Sequence, residues 1–139
     1  MSPTSFHESV TSIARLYDLR AAASRWLADV RIAEEAIERV LLVLSETCTN
    51  ALNHGGADRV DVEITVDRVD GGDGSTITMW VRHDDHDPAA LAQPTSMPPP
   101  EAPFGRGLAL VERLVDGMTL WIDPPHVVRK CWLLTGAAS

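Results

Sequence analysis

Glu46, Asn50 and Asn53 are spaced four and three residues apart, the step that gathers side chains on one face of a helix. A carboxylate beside two carboxamides suits a metal–nucleotide site. An Asn oxygen can ligate a hard cation, its amide can reach a phosphate oxygen, and a carboxylate can orient or deprotonate a hydroxyl. Further along, Gly105-Arg106-Gly107-Leu108 joins a proline-rich stretch to an apolar one. Two glycines there let backbone N–H groups approach an anion, a helix start adds partial positive charge, and Arg106 offers a forked donor.

Each signal has a plainer explanation. Polar helix faces are ordinarily solvated, and glycines between loop and helix are ordinarily turn residues. Solvated faces, however, usually carry Lys, Arg and Glu, which propagate helices well. From Val40 to His54 there is no Lys or Arg, two of the polar residues are Asn, a poor helix former, and Leu42 and Val43 border the polar face. At 100° per residue, Ile37, Val40, Leu41, Leu44, Cys48, Ala51 and Leu52 form the opposite, apolar stripe. The polar face therefore reads as covered.

The elements that must position these residues follow from periodicity. Val10, Ile13, Leu16, Tyr17, Trp26, Leu27 and Val30 recur at helical steps and predict a helix from about Glu8 to Val30. The helix bearing Glu46 runs from about Glu34 to His54 and stops at Gly55 and Gly56. Val60, Val62, Ile64 and Val66 alternate with polar residues, as do Ile77, Met79 and Val81, and the turn from Asp70 to Gly74 pairs the two runs as a hairpin. Prolines at 88, 94, 98, 99, 100 and 103 forbid regular structure between His83 and Phe104, so a lid loop over about 84–104 is expected. A short helix opening at Gly107 and strands over Thr119–Ile122 and Val127–Leu134 close the chain. This order predicts an α+β two-layer sandwich with a mixed, mostly antiparallel sheet, in one domain spanning 1–139.

Composition narrows the function classes. The net charge of −8, with Lys130 the only lysine, argues against contact with a nucleic acid backbone. No apolar run approaches a membrane span, and Met1 to Phe6 has no signal-like character, so a cytoplasmic protein is expected. Cys48 and Cys131 read as two reduced core thiols.

The segment Leu44-Ser45-Glu46-Thr47-Cys48-Thr49-Asn50-Ala51-Leu52-Asn53-His54 resembles the N box of the GHKL ATPases, named for gyrase, Hsp90, histidine kinase and MutL, and Gly105-Arg106-Gly107-Leu108 resembles their later glycine box. The short chain is most similar to the anti-sigma factor serine kinases of the RsbW and SpoIIAB type. That resemblance implies the Bergerat fold, ATP and Mg²⁺ as cofactors, Asn50 as the metal ligand and Glu46 as general base toward a serine hydroxyl. It places Asn53, His54, Gly105, Arg106, Gly107 and Leu108 around the nucleotide. The implied partners are a sigma factor and an anti-anti-sigma protein with a sulfate-transporter/anti-sigma-antagonist (STAS) domain, and a homodimer is in keeping with it.

One stretch departs from the family pattern. Where the family carries an aspartate for the adenine amine and a glycine two residues later, this chain reads Val81-Arg82-His83-Asp84-Asp85-His86-Asp87. Counting inward-facing positions from Val81 puts His83 at the aspartate's place and Asp85 at the glycine's, while a shift of one or two residues presents Asp84 or Asp85 instead. A neutral His83 can accept a hydrogen bond from the amine through one ring nitrogen. The altered stretch also admits a second reading, a binding module that keeps the fold and sequesters sigma or anti-anti-sigma protein without phosphorylating it. Metal coordination by the His and Asp residues is a third, although an acidic strand end needs no metal.

Overall fold

Strict alternation sets the sheet. In β2 (Val60–Arg68) the side chains of Val60, Val62, Ile64 and Val66 are buried, and in β3 (Ser75–Asp84) those of Ser75, Ile77, Met79 and Val81. A period of two puts each set on one face, and antiparallel pairing aligns them, with Val62 opposite Val81 and Ile64 opposite Met79. The computed structural model describes residues 4–53, 57–68, 74–84 and 106–136.

The remaining strands are β1 (Thr4–Val10), β4 (Gly117–Asp123) and β5 (His126–Thr135). Together they make a five-stranded sheet in the order β1-β2-β3-β5-β4, with every neighbouring pair antiparallel. The two-layer α+β expectation holds, and the sheet, expected to be mixed and mostly antiparallel, is antiparallel throughout among the described residues. The amino-terminal element differs more. Residues expected to open a helix at Glu8 instead form β1, and a short 3-10 turn, Ile13–Arg15, precedes α1 (Leu16–Asp29). β1 is an edge strand whose only buried residue is Val10, so its alternation is faint, while Val10, Ile13, Leu16 and Tyr17 mimic helical spacing.

The helices cover one face of the sheet. α1 buries Leu16, Leu19, Ala23 and Leu27, and Trp26 packs against Phe6 of β1 with ring centroids 5.7 Å apart. The chain leaves α1 through Arg31, whose φ of 65° lies in the left-handed region that favours glycine, and Ile32 N–H closes back to Leu27 O at 3.0 Å. α2 (Glu34–Asn53) is the middle helix, because it packs against both α1 and α3 (Arg106–Leu114) while those two make at most marginal contact with each other. It buries Ala36, Ile37, Val40, Val43, Leu44, Thr47, Cys48 and Ala51. The helix is thus rolled relative to the predicted stripe. Val43 and Thr47 belong to the core and Leu41 and Leu52 to its margin, and Thr47 is tolerated there because its hydroxyl donates to Val43 O at 2.8 Å.

Cys48 and Cys131 are free and buried. Burial pushes the Cys48 thiol up to about 12 and that of Cys131 to about 11. Among the described residues no helix is long and apolar enough to cross a membrane. The other face of the sheet is half-exposed and carries Trp80, Lys130 and Trp132. Gly117 of β4 lies directly beneath the Trp132 indole, and a Cβ there would collide with the ring.

Candidate functional site

The two flanks of α2 are chemically distinct. Toward α1, Ser45 accepts a hydrogen bond from the Arg20 guanidinium and donates to Leu41 O at 2.8 Å, which closes that side. Glu46, Asn50 and Asn53 project from the other flank. Since α2 lies between α1 and α3, that is the flank turned toward α3. Glu46 and Asn50 are half-buried, and Asn53, the last residue of the helix, is exposed. Among the described residues neither Glu46 nor Asn50 has a side-chain hydrogen bond or ion pair, whereas the helix's earlier polar turn is closed by the Arg39–Glu35 pair at 2.7 Å. Half-buried polar groups without an internal partner are poised for one from outside.

The carboxyl end of α2 is held over one end of the sheet. Ala57 N–H donates to Ala51 O at 3.1 Å, and β2 then starts beside the end of β3, with Asp61 opposite Arg82. The register decides which side chain at that end faces the helices. His83 lies opposite Val127 and shares the inward phase of Val81, and its ring nitrogens are shielded from solvent. Asp84 points the other way and meets His126, Oδ1 to Nδ1, at 2.7 Å. A cavity of about 750 Å³ opens at this strand end, lined among others by Arg59, Arg82, His83, Asp84 and His126. Glu46, Asn50 and Asn53 are not among its lining residues. His83 and Asp84 are thus brought to one cavity at the strand end, while Glu46 and Asn50 project beside α3.

α3 begins at Arg106, so Arg106, Gly107 and Leu108 form its first turn, whose backbone N–H groups have no partner within the helix. His54, Asp85 and Gly105 lie outside the described residues, as does all of the expected lid loop after Asp84. Among the described residues no cluster of three or more His, Cys, Asp or Glu side chains exists.

One buried ion went unforeseen. Arg129 is only 6% exposed, on the helix-facing side of β5, where its guanidinium reaches Met118 Sδ at 3.4 Å. Burial lowers its pKa, and Cys131 and Glu112 oppose that shift. The signal was legible as a charge in phase with Val127, Cys131 and Leu133. His126 and Arg82, which line the strand-end cavity, were also not singled out.

A family model for the histidine kinase-like ATPase domain matches residues 10–124. The chain belongs to that family. Membership of the histidine kinase-like ATPase family implies an ATP-binding domain, and it covers both the helix bearing Glu46 and Asn50 and the start of α3. The fold is similar to that in the crystal structure of the RsbU and RsbW domains of Rv1364c from Mycobacterium tuberculosis, with a TM-score of 0.64 and 17% identity over 97% of this chain. This ATPase domain spans only 33% of that longer chain. It is also similar to a chain of the SiaB–SiaC complex from Pseudomonas aeruginosa, with a TM-score of 0.55 and 12% identity, covering 95% of this chain and 89% of that one. At such identities the likeness is one of fold. No curated protein matches the sequence.

Proposed function

We propose that this chain is an anti-sigma factor with ATP-dependent protein serine kinase activity toward an anti-anti-sigma, STAS-domain partner. The observation that carries the reading is the pair of half-buried side chains Glu46 and Asn50, without a partner among the described residues, on the flank of α2 turned toward α3, in a chain of the histidine kinase-like ATPase family. The fold likeness to structures of RsbU and RsbW domains and of a SiaB–SiaC complex supports a role in partner exchange. The protein would act in the cytoplasm, hold a sigma factor without touching nucleic acid, and work as a homodimer.

The chemistry follows from the side chains. Glu46, a turn before Asn50, would accept the proton of the serine hydroxyl as that oxygen attacks the γ-phosphate, and the γ-phosphate bond to ADP breaks in line. Bound Mg²⁺ would supply charge neutralisation, and a carboxamide oxygen such as that of Asn50 suits a hard cation that keeps most of its waters. The first turn of α3 would direct the N–H groups of Arg106, Gly107 and Leu108 at phosphate oxygens, with Gly105, Asn53 and His54 beside them. His83 would meet the base, with Asp85 two residues on beside it.

Incubating the protein with labelled ATP and its STAS-domain partner tests this directly: label on a partner serine supports it, and no transfer to a genuine partner refutes catalysis. A second reading has its own observation. The inward position at the end of β3 is held by His83, and Asp84 is turned away to His126. This favours a module that retains the fold and sequesters its partners without turnover. Titration calorimetry with Mg·ATP separates the two, since absence of heat and an unchanged melting temperature at millimolar nucleotide would select the module.

A further inference from the structure

A carboxylate and an imidazole read a purine differently. An ionised carboxylate only accepts hydrogen bonds, whereas a neutral imidazole carries one donor and one acceptor and exchanges them between its two tautomers. The six-position of the purine is where that difference acts. Adenine carries an amine there, which donates, while hypoxanthine and guanine carry a carbonyl, which accepts.

The end of β3 presents an imidazole to the helix layer. His83 shares the inward phase of Val81, lies opposite Val127 and lines the strand-end cavity of about 750 Å³, a volume within the range of small-molecule sites. Its neighbours on that phase, Val62, Val81 and Val127, are buried and bring no polar side-chain atom. The ionic groups of the lining are engaged elsewhere. Arg59 pairs with Asp61 at 2.8 Å, Arg82 with Glu63 at 3.7 Å, and Asp84 Oδ1 meets His126 Nδ1 at 2.7 Å. The adjoining carboxylate, Asp84, is thus on the opposite phase of the strand and already bonded, while Asp58, also in the lining, is exposed.

We propose that His83 sets the base selectivity of the nucleotide site, and that the site takes 6-oxopurine nucleoside triphosphates, of the inosine and guanosine kind, about as well as ATP. The inference rests on the nucleotide-binding reading above, in which His83 meets the base. With its proton on the ring nitrogen away from the base, the imidazole accepts from the adenine amine. With the proton on the nitrogen beside the base, it donates to the 6-carbonyl. The hydrogen bond that forms selects the tautomer, so either base meets a complementary atom. An aspartate at 83 would set acceptor against acceptor with no proton between them, at a place where the ring nitrogens of His83 are shielded from solvent. A pocket that leaves a shielded polar group unpaired rejects the wrong base strongly, and one that pairs with both does not.

Titration calorimetry of the full chain with Mg·ATP and Mg·ITP tests it, in slightly alkaline buffer that keeps an imidazole neutral. Inosine triphosphate is the cleanest probe, since it differs from ATP only in the six-position group and the proton on the adjoining ring nitrogen. The two dissociation constants should agree within about tenfold in the native chain. His83→Asp should raise the preference for ATP by about tenfold or more, because its oxygens cannot pair with the carbonyl. His83→Asn should keep the native ratio, since a carboxamide offers its oxygen or its nitrogen by turning over. Asp58→Asn should also leave the ratio unchanged. A role confined to packing would move both affinities together and leave their ratio alone. Circular dichroism shows which variants fold, and the native ratio stands as a test if none does. A native chain that favours either nucleotide by more than about tenfold, a folded His83→Asp chain that falls short of its gain, or a ratio that follows Asp58 instead would each overturn the proposal. Absence of heat with both nucleotides is a different result, which removes the nucleotide site and its base selectivity together.

Discussion

The two flanks of α2 share a backbone and differ in what their polar groups have found. Toward α1, Ser45 is engaged by Arg20 and by Leu41 O, and the surface there is finished. Toward α3, Glu46 and Asn50 are half-buried and have no side-chain bond among the described residues. Half-buried rather than enclosed, their polar atoms keep access to water, which a ligand can displace. The proposed kinase reading makes the α3 flank the working side and the α1 flank the packing side.

Four changes break or sharpen the contrast. The largest effect is expected from Glu46→Gln on the working flank: a loss of about 10²–10⁴-fold in phosphoryl transfer, with the melting temperature nearly unchanged, measured by labelled-ATP transfer beside a thermal melt. Next is Leu44→Ala in the buried stripe, where denaturant unfolding should show a loss of about 2–5 kcal/mol because a fully enclosed side chain leaves a cavity.

A third test uses pH. Cys48 has its thiol raised from 9.0 to about 12, so its neutral form belongs to the folded chain. That contribution is complete below the ordinary thiol value and is lost as pH rises toward about 12, because only the unfolded chain then ionises. Unfolding free energy should fall above pH 9, and less steeply in Cys48→Ala, by urea titration at several pH values. The smallest effect is Arg20→Ala on the packing flank. It should cost no more than about 1 kcal/mol and leave any nucleotide heat untouched, since an exposed hydrogen bond competes with water.

Much of this was legible in the residues. The β2–β3 hairpin was plain because both strands alternate strictly, and the working flank was marked by the missing Lys and Arg between Val40 and His54. β1 escaped because an edge strand needs only one buried residue, Val10, and its neighbours fall at helical intervals. The roll of α2 escaped because a hydroxyl can hide its polarity in the helix backbone, so Thr47 in the core looks like a surface residue in the sequence. Arg129 and the tryptophan face escaped for another reason. Alternation says that residues differ in facing, and only pairing says which strands they meet.

Gly117 offers a last lesson. It is only half-buried, on an edge strand, where substitution is ordinarily tolerated. Yet the aromatic roof above it leaves no space for even a methyl group. In a library of variants selected for folding, position 117 should accept a side chain only together with a displaced or smaller residue at 132, a coupling that a surface-exposure rule would miss.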